Sequence, residues 1–233
     1  MRIIVLHDAE EIGKRVSEIF IDALNRNPKM ILGLATGSSP LPVYHHLVEA
    51  YKQGRVSFRD AKSYNLDEYL RCSDKTQTYR YFMAQNLFNK VDIQKSNTFF
   101  PDPNSPESYD KTIALAGGVD LQLLGIGVDG HIGFNEPGTA FDSKTHIVNL
   151  APSTLLANAR FFGGDTSKVP SQAVTMGLGT ILQARHIVLV ADTPSKKEAV
   201  QRLMSHQKDI AWPASVLNDH ANTDVFISED VLA

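Results

Sequence analysis

Residues 119–138 read Val119-Asp120-Leu121-Gln122-Leu123-Leu124-Gly125-Ile126-Gly127-Val128-Asp129-Gly130-His131-Ile132-Gly133-Phe134-Asn135-Glu136-Pro137-Gly138. The stretch from Val119 to Ile126 reads as a strand, and it runs straight into a glycine-rich segment that carries a histidine and two carboxylates. Gly125, Gly127 and Gly130 match the G-x-G-x-x-G spacing of dinucleotide-binding loops. That spacing binds a pyrophosphate only if a helix opens at its last glycine. Here Gly133, Pro137 and Gly138 follow within eight residues, and such a run does not carry a helix. The segment is instead a long loop at a strand exit, placed to position side chains.

The same punctuation recurs on either side of this stretch. Strand signals fall at Arg2–Leu6, Met30–Ala35, Ala61–Leu66, Asn97–Phe100, Ala173–Met176, Ile187–Ala191 and Thr223–Ile227. Helical spacing is found over Ala9–Asn25, where Ile12, Val16, Ile19, Phe20 and Leu24 repeat at three and four, and over Leu41–Tyr51, Tyr79–Phe88, Tyr109–Ala116, Thr154–Phe162 and Lys196–Met204. Gly117-Gly118 is a C-cap signal for the fourth of these helices. Strands that alternate with helices predict an α/β fold: one domain over residues 1–233, a mainly parallel sheet, and helices on both faces. Ligands of such sheets bind beyond the carboxyl ends of the strands, so the informative places are the segments from Thr36, Asp67 and Gly125 onward.

The composition excludes several classes. The 233 residues are 42% hydrophobic and 21% charged, ordinary for a globular protein. Lys plus Arg is 23 and Asp plus Glu is 26, a formal charge of −3, so there is no basic field for nucleic acid. The one cysteine, Cys72, excludes an internal disulfide or a multi-cysteine metal site. It lies in the polar run Arg71-Cys72-Ser73-Asp74 and reads as a surface or loop residue. No apolar run approaches the ~20 residues of a membrane helix, and the apolar start is too short for a secretion signal, so a cytoplasmic protein is expected.

At the first strand exit, Thr36-Gly37-Ser38-Ser39-Pro40 offers a tight turn, a serine N-cap and a first-turn proline. Free N–H groups and two hydroxyls there suit a phosphate, although a simple capped helix would read the same. The Gly-Lys-Thr/Ser of a nucleotide loop is missing. At the second exit, Asn65-Leu66-Asp67-Glu68-Tyr69 places two adjacent carboxylates that point in different directions. One of them, if desolvated, suits proton abstraction next to a carbonyl. At the third, Asp129, His131 and Glu136 form a group in which a carboxylate on one ring nitrogen fixes the tautomer and raises the histidine pKa. One histidine and two acids could also bind a divalent ion. His45 and His46 diverge by about 100° on a helix, and His7, His186, His206 and His220 read as structural or exposed.

Together these segments resemble the glucosamine-6-phosphate deaminase (glucosamine-6-phosphate isomerase) family. The matching segments are 34–40, 65–69, 125–138, Ala157-Asn158-Ala159-Arg160-Phe161-Phe162 and Thr175-Met176-Gly177-Leu178-Gly179-Thr180-Ile181-Leu182, in the family's order. The resemblance implies a modified Rossmann-like α/β domain and the reaction of glucosamine 6-phosphate with water to give fructose 6-phosphate and ammonia, with no metal and no organic cofactor. It implies that Asp67 is the base between C2 and C1, that His131 opens the sugar ring, and that Asp129 and Glu136 are its carboxylate partners. It places the phosphate at Thr36, Gly37, Ser38, Ser39, Arg160 and Lys197, the last with Lys196 adjacent. Allosteric members carry a basic pair that falls here at His146 and Val148, and a longer tail, so the chain is expected to be a short, non-allosteric form and a monomer. The rivals are a 6-phosphogluconolactonase, which shares a Gly-x-Asp-Gly-His segment but needs no C2 base, and a non-catalytic sugar-phosphate sensor, which could lose the acids this chain keeps. The stretch Phe141–Ala159, beside the acid–base loop, is a candidate lid.

Overall fold

A computed structural model describes all residues, Met1–Ala233. Its strands are β1 (Arg2–Leu6), β2 (Ile31–Leu34), β3 (Lys62–Asn65), β4 (Asp67–Tyr69), β5 (Thr98–Phe99), β6 (Leu121–Gly125), β7 (His146–Asn149), β8 (Gln172–Thr175), β9 (His186–Ala191) and β10 (Thr223–Ser228). The helices are α1 (Ala9–Arg26), α2 (Leu41–Lys52), α3 (Tyr79–Met83), α4 (Pro106–Ala116), α5 (Pro152–Asn158), α6 (Leu178–Ile181), α7 (Lys197–Met204) and α8 (Glu229–Leu232). Seven strands form one sheet in the order β1-β10-β9-β6-β2-β3-β5, and every pairing in it is parallel.

Strand residues alternate between two cores, as the period of two requires. Leu32, Leu34, Leu121, Leu123, Val188, Val190 and Phe226 pack with α1 and α2 on one face. Ile31, Leu124, Ile187, Leu189, Val225 and Ile227 pack with α4, α6, α7 and α8 on the other. The expected α/β architecture with helices on both faces is therefore what the chain adopts. In α1 the spacing buries Ile12, Val16, Phe20, Ile21 and Leu24, and Asp8 caps the start by accepting from the Glu11 N–H. Gly117 ends α4 in the left-handed conformation at φ 109°, where a side chain would be strained.

From β2 the chain proceeds to β3 and β5 in one direction, and from β6 to β9 and β10 in the other. The strand order reverses between β2 and β6, which opens a crevice at their carboxyl ends. Three features depart from the sequence expectation. A second sheet, β4-β8-β7, is antiparallel and stands over this crevice, with Asp67 opposite Thr175 and His146 opposite the same residue on the other edge. The candidate lid Phe141–Ala159 thus contains a paired strand, β7, which ties its middle to β8. The helix expected over Tyr79–Phe88 is α-helical only to Met83 and widens into a π-turn over Ala84–Phe88. Cys72, expected at the surface, is 5% exposed and packs beneath Tyr69 and Phe134.

Candidate active site

Four strand exits, after β2, β3, β6 and β9, and the helical turn that carries Arg160 meet around a cavity of about 490 Å³. Its acid–base end is built by the loop after β6. Gly127 N–H donates to the His131 carbonyl at 2.9 Å, which folds the loop back on itself. A Cβ on Gly127 would stand 2.3 Å from His131 Cε1, so the absence of a side chain there makes room for the imidazole. Asn135 is fully buried, and its amide donates to the carbonyls of Ile132 and Met176 at 2.8 Å each, tying the loop to the end of β8. From the other side, Ala214 N–H donates to Gly130 and Gly138 N–H to Ile210, both at 2.8 Å.

His131 Nδ1 stands 2.7 Å from Asp129 Oδ1 and 3.8 Å from Glu136 Oε2. The first is an ion-pair contact too bent to be a straight hydrogen bond. Burial disfavours the charged imidazole, yet Asp129, then Glu136 and Asp67, outweigh it and raise the His131 pKa above its ordinary value. Burial would likewise raise Asp129, but His131 holds that carboxyl below the usual range. The ligand atoms of Asp129, His131 and Glu136 lie within 4.8 Å of one another. Ligands held about 2.1 Å from a tetrahedral zinc stand roughly 3.4 Å apart, so separations of 2.7 and 3.8 Å suit a proton-sharing group better than an ion.

Asp67 opens β4 and is 6% exposed, its carboxylate lining the cavity. Burial, and after it the charge of Glu68, pushes its pKa up to about 8, against a smaller opposing pull from His131. Glu68 points away from the cavity. It accepts the backbone N–H groups of Tyr69, Tyr79 and Arg80 at 2.9 Å each, and so ties β4 to the start of α3. The adjacent carboxylates therefore divide their work, one facing the cavity and the other holding its wall.

The opposite end of the cavity carries the cations. Thr36, Gly37, Ser38 and Ser39 follow β2, with Gly37 at φ 98°. Neither serine caps α2: the N-cap position is Pro40, and it makes no side-chain cap bond. Ser39 instead donates to Asp192 at 2.7 Å, and Lys196 Nζ donates to Asp192 at 2.8 Å and to the Ser39 hydroxyl. Arg160 reaches Ser38 at 3.4 Å from the turn after α5, and its guanidinium stacks over Phe161. Lys196 lines the cavity and Lys197 does not; Lys197 Nζ bonds the carbonyl of Ala233. The expectation for Lys197 is thus corrected by one residue. A short 3₁₀ turn, Pro194–Lys196, precedes α7 and rotates the first lysine inward, a change of phase that helical spacing does not show.

The chain matches the family model "Glucosamine-6-phosphate isomerases/6-phosphogluconolactonase" over residues 7–226. It belongs to this family. Within the isomerase/lactonase family, a glucosamine-6-phosphate deaminase of Malacoplasma penetrans is 49% identical over 93% of each chain, and one from Geobacillus is 44% identical over 100% of this chain and 95% of the relative. A solved structure described as a monomeric glucosamine-6-phosphate deaminase superposes with a TM-score of 0.95 at 37% identity, covering 99% of this chain and 98% of the other. A 6-phosphogluconolactonase from Trypanosoma cruzi has the same fold, with a TM-score of 0.79 at 20% identity.

Two groups of site residues carried no sequence signal. Asp192, 8% exposed at its side chain, orients Lys196 and Ser39 from just beyond β9. Tyr79 stacks on Phe134 at 4.7–5.7 Å from the neighbouring rings of Tyr69 and Phe134, and walls the cavity above Asp67. Each depends on a partner distant in sequence, Ser39 for Asp192 and Phe134 for Tyr79, so no local motif marks them.

Proposed function

We infer that this protein converts glucosamine 6-phosphate and water into fructose 6-phosphate and ammonia. The observation that carries the reading is the buried Asp67 carboxylate, facing the same cavity as His131 and opposite a cationic pocket. A lactonase needs no base at C2, and it has no use for a carboxylate kept basic there. The full-length relatives at 42–49% identity are deaminases, while the lactonase likeness at 20% speaks only for the fold.

The phosphate is held by Ser38, Ser39, Arg160 and Lys196, with the turn at Thr36-Gly37 letting the backbone approach. That anchor orients the far end of the sugar. The closed ring has no acidic C–H. His131 gives a proton to the ring oxygen as the C1–O5 bond breaks and takes up the C1 hydroxyl proton, so C1 becomes an aldehyde and the imidazole returns to its starting state. The C2 hydrogen, now beside a carbonyl and an ammonium, is acidic enough for Asp67 to remove. In the resulting enol-type intermediate one ammonium proton passes to O1, Asp67 returns its proton to C1, and an iminium is left at C2. Water adds there, and ammonia leaves. Asp129 and Glu136 stabilise the charged imidazole at each turn of this cycle. No step calls for a metal or an organic cofactor.

The protein acts as a monomer without activation by N-acetylglucosamine 6-phosphate. The Val148 side chain packs against the cluster around Tyr69 and Phe162, where it offers no charge to an effector, and His146 Nδ1 is engaged with the Lys144 carbonyl at 2.8 Å. No helix is long and apolar enough to cross a membrane, in keeping with action on a small soluble phosphate. The deciding experiment is ammonia release from glucosamine 6-phosphate by wild type beside Asp67→Asn. Release by wild type and loss of at least about 1,000-fold in the variant are expected. Absence of release by folded wild type, with hydrolysis of 6-phosphogluconolactone instead, would replace the deaminase by the lactonase.

A further inference from the structure

Glu136 is 8% exposed, and its two oxygens have different surroundings. Oε1 accepts the Thr154 hydroxyl at 2.7 Å and the Ala151 N–H at 3.3 Å. Oε2 has no hydrogen-bond donor and lies 3.8 Å from His131 Nδ1. Thr154 is itself 3% exposed and sits in the first turn of α5. The preceding residue, Ser153, donates to Asp129 Oδ2 at 3.4 Å. Both carboxylates beside His131 are thus touched by consecutive hydroxyls of one short helix. The turn that continues this helix, Ala159–Phe162, carries Arg160 to Ser38 at the other end of the cavity.

We propose that Thr154 is a positioning residue for the acid–base His131, holding Glu136 against the first turn of α5 so that Asp129 alone contacts Nδ1. The proposal rests on the deaminase reading for its kinetic test but not for its structural one. With Oε1 tied to the buried Thr154 hydroxyl, Oε2 is held 3.8 Å from Nδ1, beyond hydrogen-bond reach. At 3.8 Å it supports the charge without a direct bond. Without the hydroxyl, Oε1 keeps only the long contact with the Ala151 N–H at 3.3 Å; the loosened carboxylate turns Oε2 toward His131 Nδ1, and the ring acquires a second contacting anion. The ionisable groups facing His131 are Asp129, Glu136 and Asp67, all acidic, so a closer Glu136 binds the imidazole proton more firmly. A more firmly held proton is a poorer one to deliver to the ring oxygen.

The test compares Thr154→Val, which keeps the shape and removes the donor, with Thr154→Ser, which keeps the donor. Thr154→Ala serves as a second deletion should the valine variant not fold. For Thr154→Val, kcat for ammonia release falls about tenfold, and KM stays within about twofold. The ¹⁵N-histidine titration of His131, assigned by its loss in His131→Asn, shifts to higher pH. Thr154→Ser keeps both values near wild type. A rise in KM with kcat unchanged, a His131 midpoint that stays or moves down, or a serine variant as impaired as the deletions would each overturn the proposal. If wild type released no ammonia, the deaminase reading would fall, while the titration of His131 in wild type and variants would still decide the role of Thr154.

Discussion

Asp67 is a carboxylate whose burial makes it a stronger base than an ordinary aspartate, and the reaction requires a base at C2. Its pKa of about 8 means that in the free enzyme it is protonated below that pH and ionised above it. Proton removal needs the ionised form, so kcat/KM falls as the pH is lowered through about 8. The acid limb of a kcat/KM profile measures this directly, and a limb near 4 would mean that the carboxylate is solvated when substrate arrives. At the cationic end of the cavity, Lys196 faces inward and the adjacent Lys197 outward. Lys196→Ala is expected to raise KM for glucosamine 6-phosphate by at least about tenfold, and Lys197→Ala to change it by less than about twofold. Steady-state kinetics of the two variants side by side separate these outcomes.

The loop from Gly127 to Gly138 works as one element because it is tied at several points to chain far away in sequence. Asn135 holds it to β8, and Ala214 and Ile210 hold Gly130 and Gly138. Trp212 packs on the same loop, with its Cε3 2.9 Å from where a Cβ on Gly130 would stand. Such ties leave the imidazole little freedom, and this restraint is what the chemistry needs. Adding one methyl group at Gly127 drives into the His131 ring. Gly127→Ala is expected to keep its circular dichroism spectrum and to lose at least about 100-fold in kcat/KM. A variant with near-normal turnover would show that the ring moves aside without cost. The small antiparallel sheet adds a second constraint, since the pairing of β4 with β8 fixes where Asp67 begins its strand.

At the level of the whole molecule, the parallel sheet places the site where its strand order reverses, and the second sheet roofs that crevice. Each end of the cavity draws on both halves of the chain: the segments after β2 and β3 supply Ser39 and Asp67, and those after β6 and β9 supply His131 and Lys196. Sedimentation at working concentration is expected to give a single species of one chain. Ammonia release is expected to be unchanged by N-acetylglucosamine 6-phosphate apart from competition at the active site. A several-fold rise in activity with that ligand would show an effector site that Val148 does not preclude.

The parallel α/β class was legible in the order of apolar runs, because burial on both faces leaves a nearly continuous pattern in the strand. Asp67, Asp129, His131 and Glu136 could be singled out as candidates because their segments leave strand ends, where this fold binds ligands. The roles of Glu68, Asp192, Thr154 and Trp212 were not legible, since each acts through a contact across at least ten residues of chain. The same holds for β4 and β7, strands of three and four residues whose ladder bonds form only with β8. Ser39 shows the difference in one residue. Its sequence context is that of a helix cap, a local interaction, yet its hydroxyl goes to Asp192 and Lys196. Local chemistry and periodicity are written along the chain. Which of two adjacent lysines or carboxylates faces the cavity depends on helix phase and on partners brought close by folding.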